Sequence, residues 1–166
     1  MKPSLTVTGV LMMLGFLAMQ VTDQVGSPPK EVTYCQLIQN PSSLVGKRIQ
    51  VRAIYSYMFE VSRFKSPECC PERDVSIWVD FDENLDGNSK RLLSKFPKGM
   101  GFVLATFVGT LDSGGPFGGG GYRLKFKVDK IEKLERSAKG SAGHNPSWVP
   151  ENCEATDGAQ PQEHLH

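Results

Sequence analysis

The stretch GKRIQVRAIYSYMF, Gly46 to Phe59, decides the fold. Ile49, Val51, Ala53, Tyr55, Tyr57 and Phe59 fall on alternate positions and so share one face of an extended chain. Arg48, Gln50, Arg52, Ser56 and Glu60 share the other, interrupted only by Ile54 and Met58. A run of this length is roughly twice the usual strand. It predicts a strand that bends sharply or turns into a second one near Met58 to Phe64. Long bent first strands belong to small barrels, with Ile49, Val51, Tyr55 and Tyr57 as core.

Working outward, Ser66 to Arg73 is a loop bounded by Pro67 and Pro71. Val75 to Phe81 (VSIWVDF) alternates again, with Val75, Ile77, Val79 and Phe81 inward and Trp78 outward, either packed under a loop or on a binding face. A helix carrying Leu92, Leu93 and Phe96 follows, capped by Asn88 or Ser89 and closed by Pro97 and Gly99. Phe102 to Leu111 (FVLATFVGTL) is apolar on both faces, as for a strand covered on both sides. Asp112 to Gly121 (DSGGPFGGGG) reads as a flexible hairpin loop. It is not a phosphate loop, because it lacks the Gly-Lys-Ser/Thr ending and joins strand to strand. Tyr122 to Val128 is the last strand, with Ile131 and Leu134 extending its apolar record. Upstream, EVTYCQLIQN (Glu31 to Asn40) has helical spacing and ends at Pro41.

The 166 residues suit one domain, and a net charge of +1 lacks the large positive field of a bulk polyphosphate binder. Lys2 and the apolar run Leu5 to Met19 have the proportions of a signal peptide, too short for the roughly twenty residues of a membrane span. Residues 1–27 are therefore expected to be a signal peptide or an uncleaved N-terminal anchor. Residues 28–136 are expected to be the folded domain, and residues 137–166 a disordered polar tail. Export places the chain in the periplasm or outside the cell. There the even cysteine count of Cys35, Cys69, Cys70 and Cys153 predicts disulfides. A bond between adjacent Cys69 and Cys70 is strained, which favours pairing one of them with Cys35.

The order strand, strand, strand, helix, strand, strand is that of an OB-fold barrel. At Asn40-Pro41, Leu44, Gly46-Lys47, Ile49, Val51, Arg52-Ala53 and Trp78-Val79-Asp80-Phe81 the chain resembles small exported bacterial OB-fold proteins, related in shape to tRNA-anti-like OB domains. The resemblance covers residues 31 to 136. It implies a mainly β, five-stranded OB-fold-like barrel with a short N-terminal helix and a helix between strands 3 and 4. These motifs are structural and name no activity.

Catalytic chemistry finds little support. The folded region contains no histidine, since His144, His164 and His166 all lie in the tail, so neither a nucleophile–base pair nor a zinc site is written there. No cofactor is expected. Asp82-x-Asn84-x-Asp86-Gly87 opens like a calcium loop, but Leu93 stands where the bidentate Glu belongs, and an acidic turn before a helix is the plainer reading. The basic constellation is Arg48, Arg52, Arg123, Lys125 and Lys127. With the first and last strands adjacent, these five and Trp78 would form an outward cationic face for an anionic envelope ligand or acidic protein. The expected role is a non-catalytic binding or interaction module, with nucleic-acid binding by an OB domain as the alternative.

Overall fold

The computed structural model describes residues 28–59, 61–66, 68, 75–119, 121–141 and 145–149. The N-terminal apolar run, Cys69, Cys70, Cys153 and the three histidines lie outside these. Strand accounts for 56% of the described residues and helix for 15%, so the chain is mainly β. The elements are β1 (Lys30–Thr33), α1 (Tyr34–Gln39), a 3-10 turn (Pro41–Ser43), β2 (Arg48–Met58), β3 (Val61–Lys65), β4 (Ile77–Phe81), α2 (Gly87–Leu93), β5 (Gly101–Phe117) and β6 (Tyr122–Lys139). They form one six-stranded mixed sheet in the order β1-β2-β3-β4-β6-β5. A further pairing of β2 with β5 carries the hydrogen bonds round a ring.

β2 matches the alternation in its sequence. Ile49, Val51 and Ala53 are fully buried and Tyr55 nearly so, whereas Phe59 is not a core residue. Phe59 occupies the turn into β3 with φ 44° and is 95% exposed. The interior also takes Phe64 from β3, Ile77 and Val79 from β4, Phe107 and Leu111 from β5, and Phe126, Val128 and Ile131 from β6. Tyr55 and Phe81 meet edge to face at 5.2 Å, and the Phe64 and Phe107 rings lie 5.0 Å apart.

Several expectations are corrected. The strand count is six, because Lys30–Thr33 pairs in parallel with Ile49–Arg52 before the first helix begins. The helix expected from Glu31 starts only at Tyr34. The reason is a reciprocal cap: Thr33 Oγ1 accepts from Gln36 N at 3.1 Å, while Thr33 N donates to Gln36 Oε1 at 2.9 Å. α2 is capped by Asp86, ahead of Asn88 and Ser89; its carboxylate accepts from Ser89 N and Ser89 Oγ. The Gly-rich segment is strand as far as Phe117, leaving only the turn at its tip. β6 continues through Ser137 to Lys139, past the expected start of the tail.

The doubly apolar β5 is covered on its second face as well. Phe102 and Leu104 form a second cluster with Ile54 and Val149, against which Trp148 packs. The residues that complete this side thus come from beyond the expected domain boundary.

Ser89 fixes α2 to the sheet. It is fully buried, and its Oγ accepts from Ile131 N at 2.8 Å while donating to Asp86 Oδ2 at 2.9 Å. Replacing Ser89 with Ala strands a buried backbone N–H and frees half of the cap. We expect Ser89→Ala to cost about 2 kcal/mol in urea unfolding, and a loss below about 0.5 kcal/mol would show that the bond is not structural.

Candidate functional site

The five basic residues do not make a continuous cationic stripe. The first and last ring strands, β2 and β6, are not neighbours: β5 lies between them, so Arg48 stands opposite Thr110, and Thr110 opposite Lys127. Four of the five are also paired. Arg48 makes a bidentate bond to Asp129, with both contacts at 2.9 Å. Arg52 binds Glu135 through Nε and Nη2 and reaches Glu68 at 2.8 Å. Lys125 lies 3.4 Å from Asp112, and Lys127 lies 2.7 Å from Asp82. Among the described residues only Arg123 of the set is exposed and without an acidic partner.

Arg48 and Arg52 are both held above the ordinary guanidinium value, chiefly by their hydrogen bonds to Asp129 and Glu135. These pairs are largely solvent-exposed, so each adds little to stability. Their main effect is on charge, because they neutralise the outward face of β2.

The calcium-like turn is also engaged by the protein itself. Asp82 Oδ2 pairs with Lys127 and its Oδ1 accepts from Asn84 N at 2.8 Å, while both carboxylate oxygens of Asp86 accept from Ser89. Among the described residues no group of three or more His, Cys, Asp or Glu side chains is arranged to hold a metal ion.

What the fold does assemble is a cluster of aromatic rings and cations around Trp78. β4 places Trp78 directly opposite Arg63 on β3 and Lys125 on β6. The Tyr122 ring lies 5.5 Å from the Trp78 ring, and Lys125 Nζ sits 5.0 Å over the Phe117 ring. Gly118, in the β5–β6 turn at φ 58°, lies against the indole so closely that a Cβ there would be 2.4 Å from it. Trp78 is therefore packed under the hairpin turn with part of its surface still open. Arg63 Nε is buried with no hydrogen-bond partner among the described residues, and Arg123 lies next to Tyr122 in sequence.

Phe117, Tyr122 and Arg63 were not singled out by sequence reasoning. Phe117 sat inside a segment taken for loop. Strand alternation assigned Tyr122 to the interior with Leu124, but the irregular register between Ser113 and Phe117 turns the hairpin arm out of that pattern.

No family model, curated protein or solved structure matches the chain.

A concavity of about 350 Å³ lies beside β1 and α1, lined in part by Thr33, Gln36, Gln50, Arg52, Glu68 and Thr106. Its one guanidinium is already engaged by Glu135 and Glu68, which leaves the aromatic cluster as the better candidate. No helix among the described residues is long and apolar enough to cross a membrane.

The carboxylates give a pH signature. Asp86 is held below the usual carboxylate range by the Ser89 backbone N–H and then its hydroxyl; Asp82 is lowered mainly by Lys127, and Glu135 by Arg52. A carboxylate depressed in the folded state stabilises above its unfolded pKa and loses that contribution as pH falls through the folded value. Urea midpoints should hold from pH 7 to about pH 5 and decline below about pH 4. Asp86→Asn should flatten part of that decline, and an unchanged acid slope in the variant would contradict the assignment.

Proposed function

We propose that this chain is an exported binding module built on an OB-fold-like five-stranded barrel, and that it engages an anionic ligand of the cell envelope without catalysis. The barrel reading rests on the ring β2-β3-β4-β6-β5, with α2 following the third ring strand and β1 added outside the ring. Export rests on the apolar run Leu5 to Met19. It is supported by Cys35, which is disulfide-bonded; among the described residues no cysteine is free. We assign Cys69 or Cys70 as its partner.

The single observation that carries the ligand class is the cluster of Trp78, Tyr122 and Phe117 interleaved with Arg63 and Lys125, with exposed Arg123 two positions before Lys125 on β6. Aromatic faces take up sugar rings or bases, while guanidinium and ammonium groups pair with carboxylate, sulfate or phosphate. An acidic oligosaccharide uses both. Of the residues expected to bind, Trp78, Arg123 and Lys125 belong to this surface, Lys125 while also lying 3.4 Å from Asp112; Arg48, Arg52 and Lys127 are assigned to ion pairing alone.

The alternative is single-stranded nucleic acid, which the same interleaving of rings and cations favours. Against it stands the near-neutral chain, with a net charge of +1.

Fluorescence titration with a heparin hexasaccharide and with an oligo(dT) separates the two. The hexasaccharide should perturb Trp78 emission, and Arg123→Glu should weaken its binding by about tenfold, as for loss of one charge-assisted contact. Stronger and steeply salt-dependent binding of oligo(dT) would select the alternative, and binding of neither would reject the site.

A further inference from the structure

A different surface lies at the turn between β2 and β3. Phe59 is the only large hydrophobic side chain fully exposed among the described residues, and also the only non-glycine there with positive φ. An L-residue other than Gly, Asn or Asp is disfavoured in this backbone region, so a bulky ring held at a turn tip carries both a conformational and a hydration cost. The fold gains no contact from it in return.

Its surroundings are not neutral. Tyr57 pairs with Gly101 and Gly101 with Lys139, while the Tyr57 hydroxyl donates to Pro97 O and Gly140 N donates to Met100 O. These links bring the β2–β3 turn, the α2–β5 loop and the end of β6 to one end of the sheet. Exposed Lys98 and Lys139 and half-buried Met58 and Met100 therefore stand at the same end as Phe59, with exposed Lys95 earlier in the α2–β5 segment.

None of the three lysines has an acidic partner among the described residues. Exposed Lys30, Lys47 and Lys133 elsewhere have none either, so what sets this end apart is the exposed Phe59 ring beside ammonium groups that are not neutralised. Glu60, next to Phe59 in sequence, lies outside the described residues.

We propose that this pole is a membrane-contact surface, with Phe59 inserting between anionic lipid headgroups and the three lysines drawing it there. The composition favours lipid over a protein partner: lysine is depleted in protein–protein interfaces, whereas long ammonium side chains beside an apolar anchor suit an anionic bilayer surface. β1 pairs along the other end of β2 from Phe59, with Lys30 opposite Ile49, and takes no part in this surface.

The test uses the full chain carrying Phe59→Trp, mixed with vesicles of phosphatidylglycerol and phosphatidylcholine with brominated acyl chains. Emission is compared with that of the parent chain, so that the native Trp78 and Trp148 cancel. The introduced indole should be quenched in these vesicles. Quenching should be absent with phosphatidylcholine alone, and absent when Lys95, Lys98 and Lys139 are all replaced by Glu. In the otherwise unaltered chain, Phe59→Ala should lower the affinity of this pole for the anionic surface by about tenfold. An unquenched indole, including one protected instead by an added acidic protein, overturns the proposal. So does quenching that is equal in neutral vesicles or unaffected by the three lysine reversals, since the contact would then owe nothing to charge.

Discussion

The ring of strand pairings depends on how closely β5 can approach the strands on either side of it. Two glycines set that distance. At Gly109 a Cβ would lie 2.1 Å from Lys127 O and 2.8 Å from the Phe126 ring, and at Gly101 it would lie 2.6 Å from the Tyr57 hydroxyl oxygen. At Gly109 the obstacle is backbone, so that position needs a residue that ends at Cα, whereas at Gly101 a side chain would have to displace the Tyr57 ring end. Gly109 also sits at a shift in the β5–β6 register. The strand can therefore bend there and pair with β6 along one edge while holding β2 along the other. Closure of the ring, burial of Phe107 and Phe126, and the placement of Trp78 opposite Lys125 all follow from that approach.

Electrostatics then decides which parts of the outer surface stay available. Four of the five expected cationic residues are matched with carboxylates close by, two of them in bidentate geometry. This pairing is consistent with a net charge of +1 and turns the broad outer wall of β2 and β6 into a neutral surface of low stickiness. Among the described residues, exposed cations without an acidic partner include Arg123 by the hairpin turn and the lysines near Phe59. Each lies beside exposed or half-exposed aromatic area.

Period-two patterning carried the interior of the fold in the sequence, because alternate burial leaves a direct record: Ile49, Val51, Ile77, Val79, Phe126 and Val128 are all where alternation puts them. Local capping chemistry was legible but overlooked. Thr33-x-x-Gln36 marks the start of α1 and Asp86-x-x-Ser89 the start of α2, and both lay within stretches whose helical spacing drew the boundary elsewhere. Two kinds of feature were not legible. β1 is too short to show a period, and what makes it a strand is a parallel partner many residues downstream. The binding face depends on a register irregularity, which moves Phe117 and Tyr122 next to Trp78 and Lys125 without altering the composition of the segment. Charge pairing was hidden for a similar reason, since Arg48 and Asp129 are 81 positions apart.

The weakest section of the ring explains the role of the N-terminal elements. β3 and β4 meet through a single backbone pairing, Arg63 with Trp78, and side chains complete the join. Ser62 Oγ donates to Val79 O at 2.8 Å and lies 3.0 Å from the Tyr55 hydroxyl, while the Tyr34 hydroxyl from α1 donates to Phe64 O at 3.2 Å. Backbone carbonyls that a longer ladder would have satisfied are thus met by hydroxyl groups, one of them brought in by a helix outside the ring. β1 and α1 thereby act as a brace. β1 extends the sheet along β2 beyond the end of β3, the reciprocal cap at Thr33 sets where α1 begins, and that start places Tyr34 over Phe64. The segment before the ring is therefore part of what holds it closed, and the neighbouring Arg63–Trp78 pair, on which the aromatic face is built, owes its position to that brace.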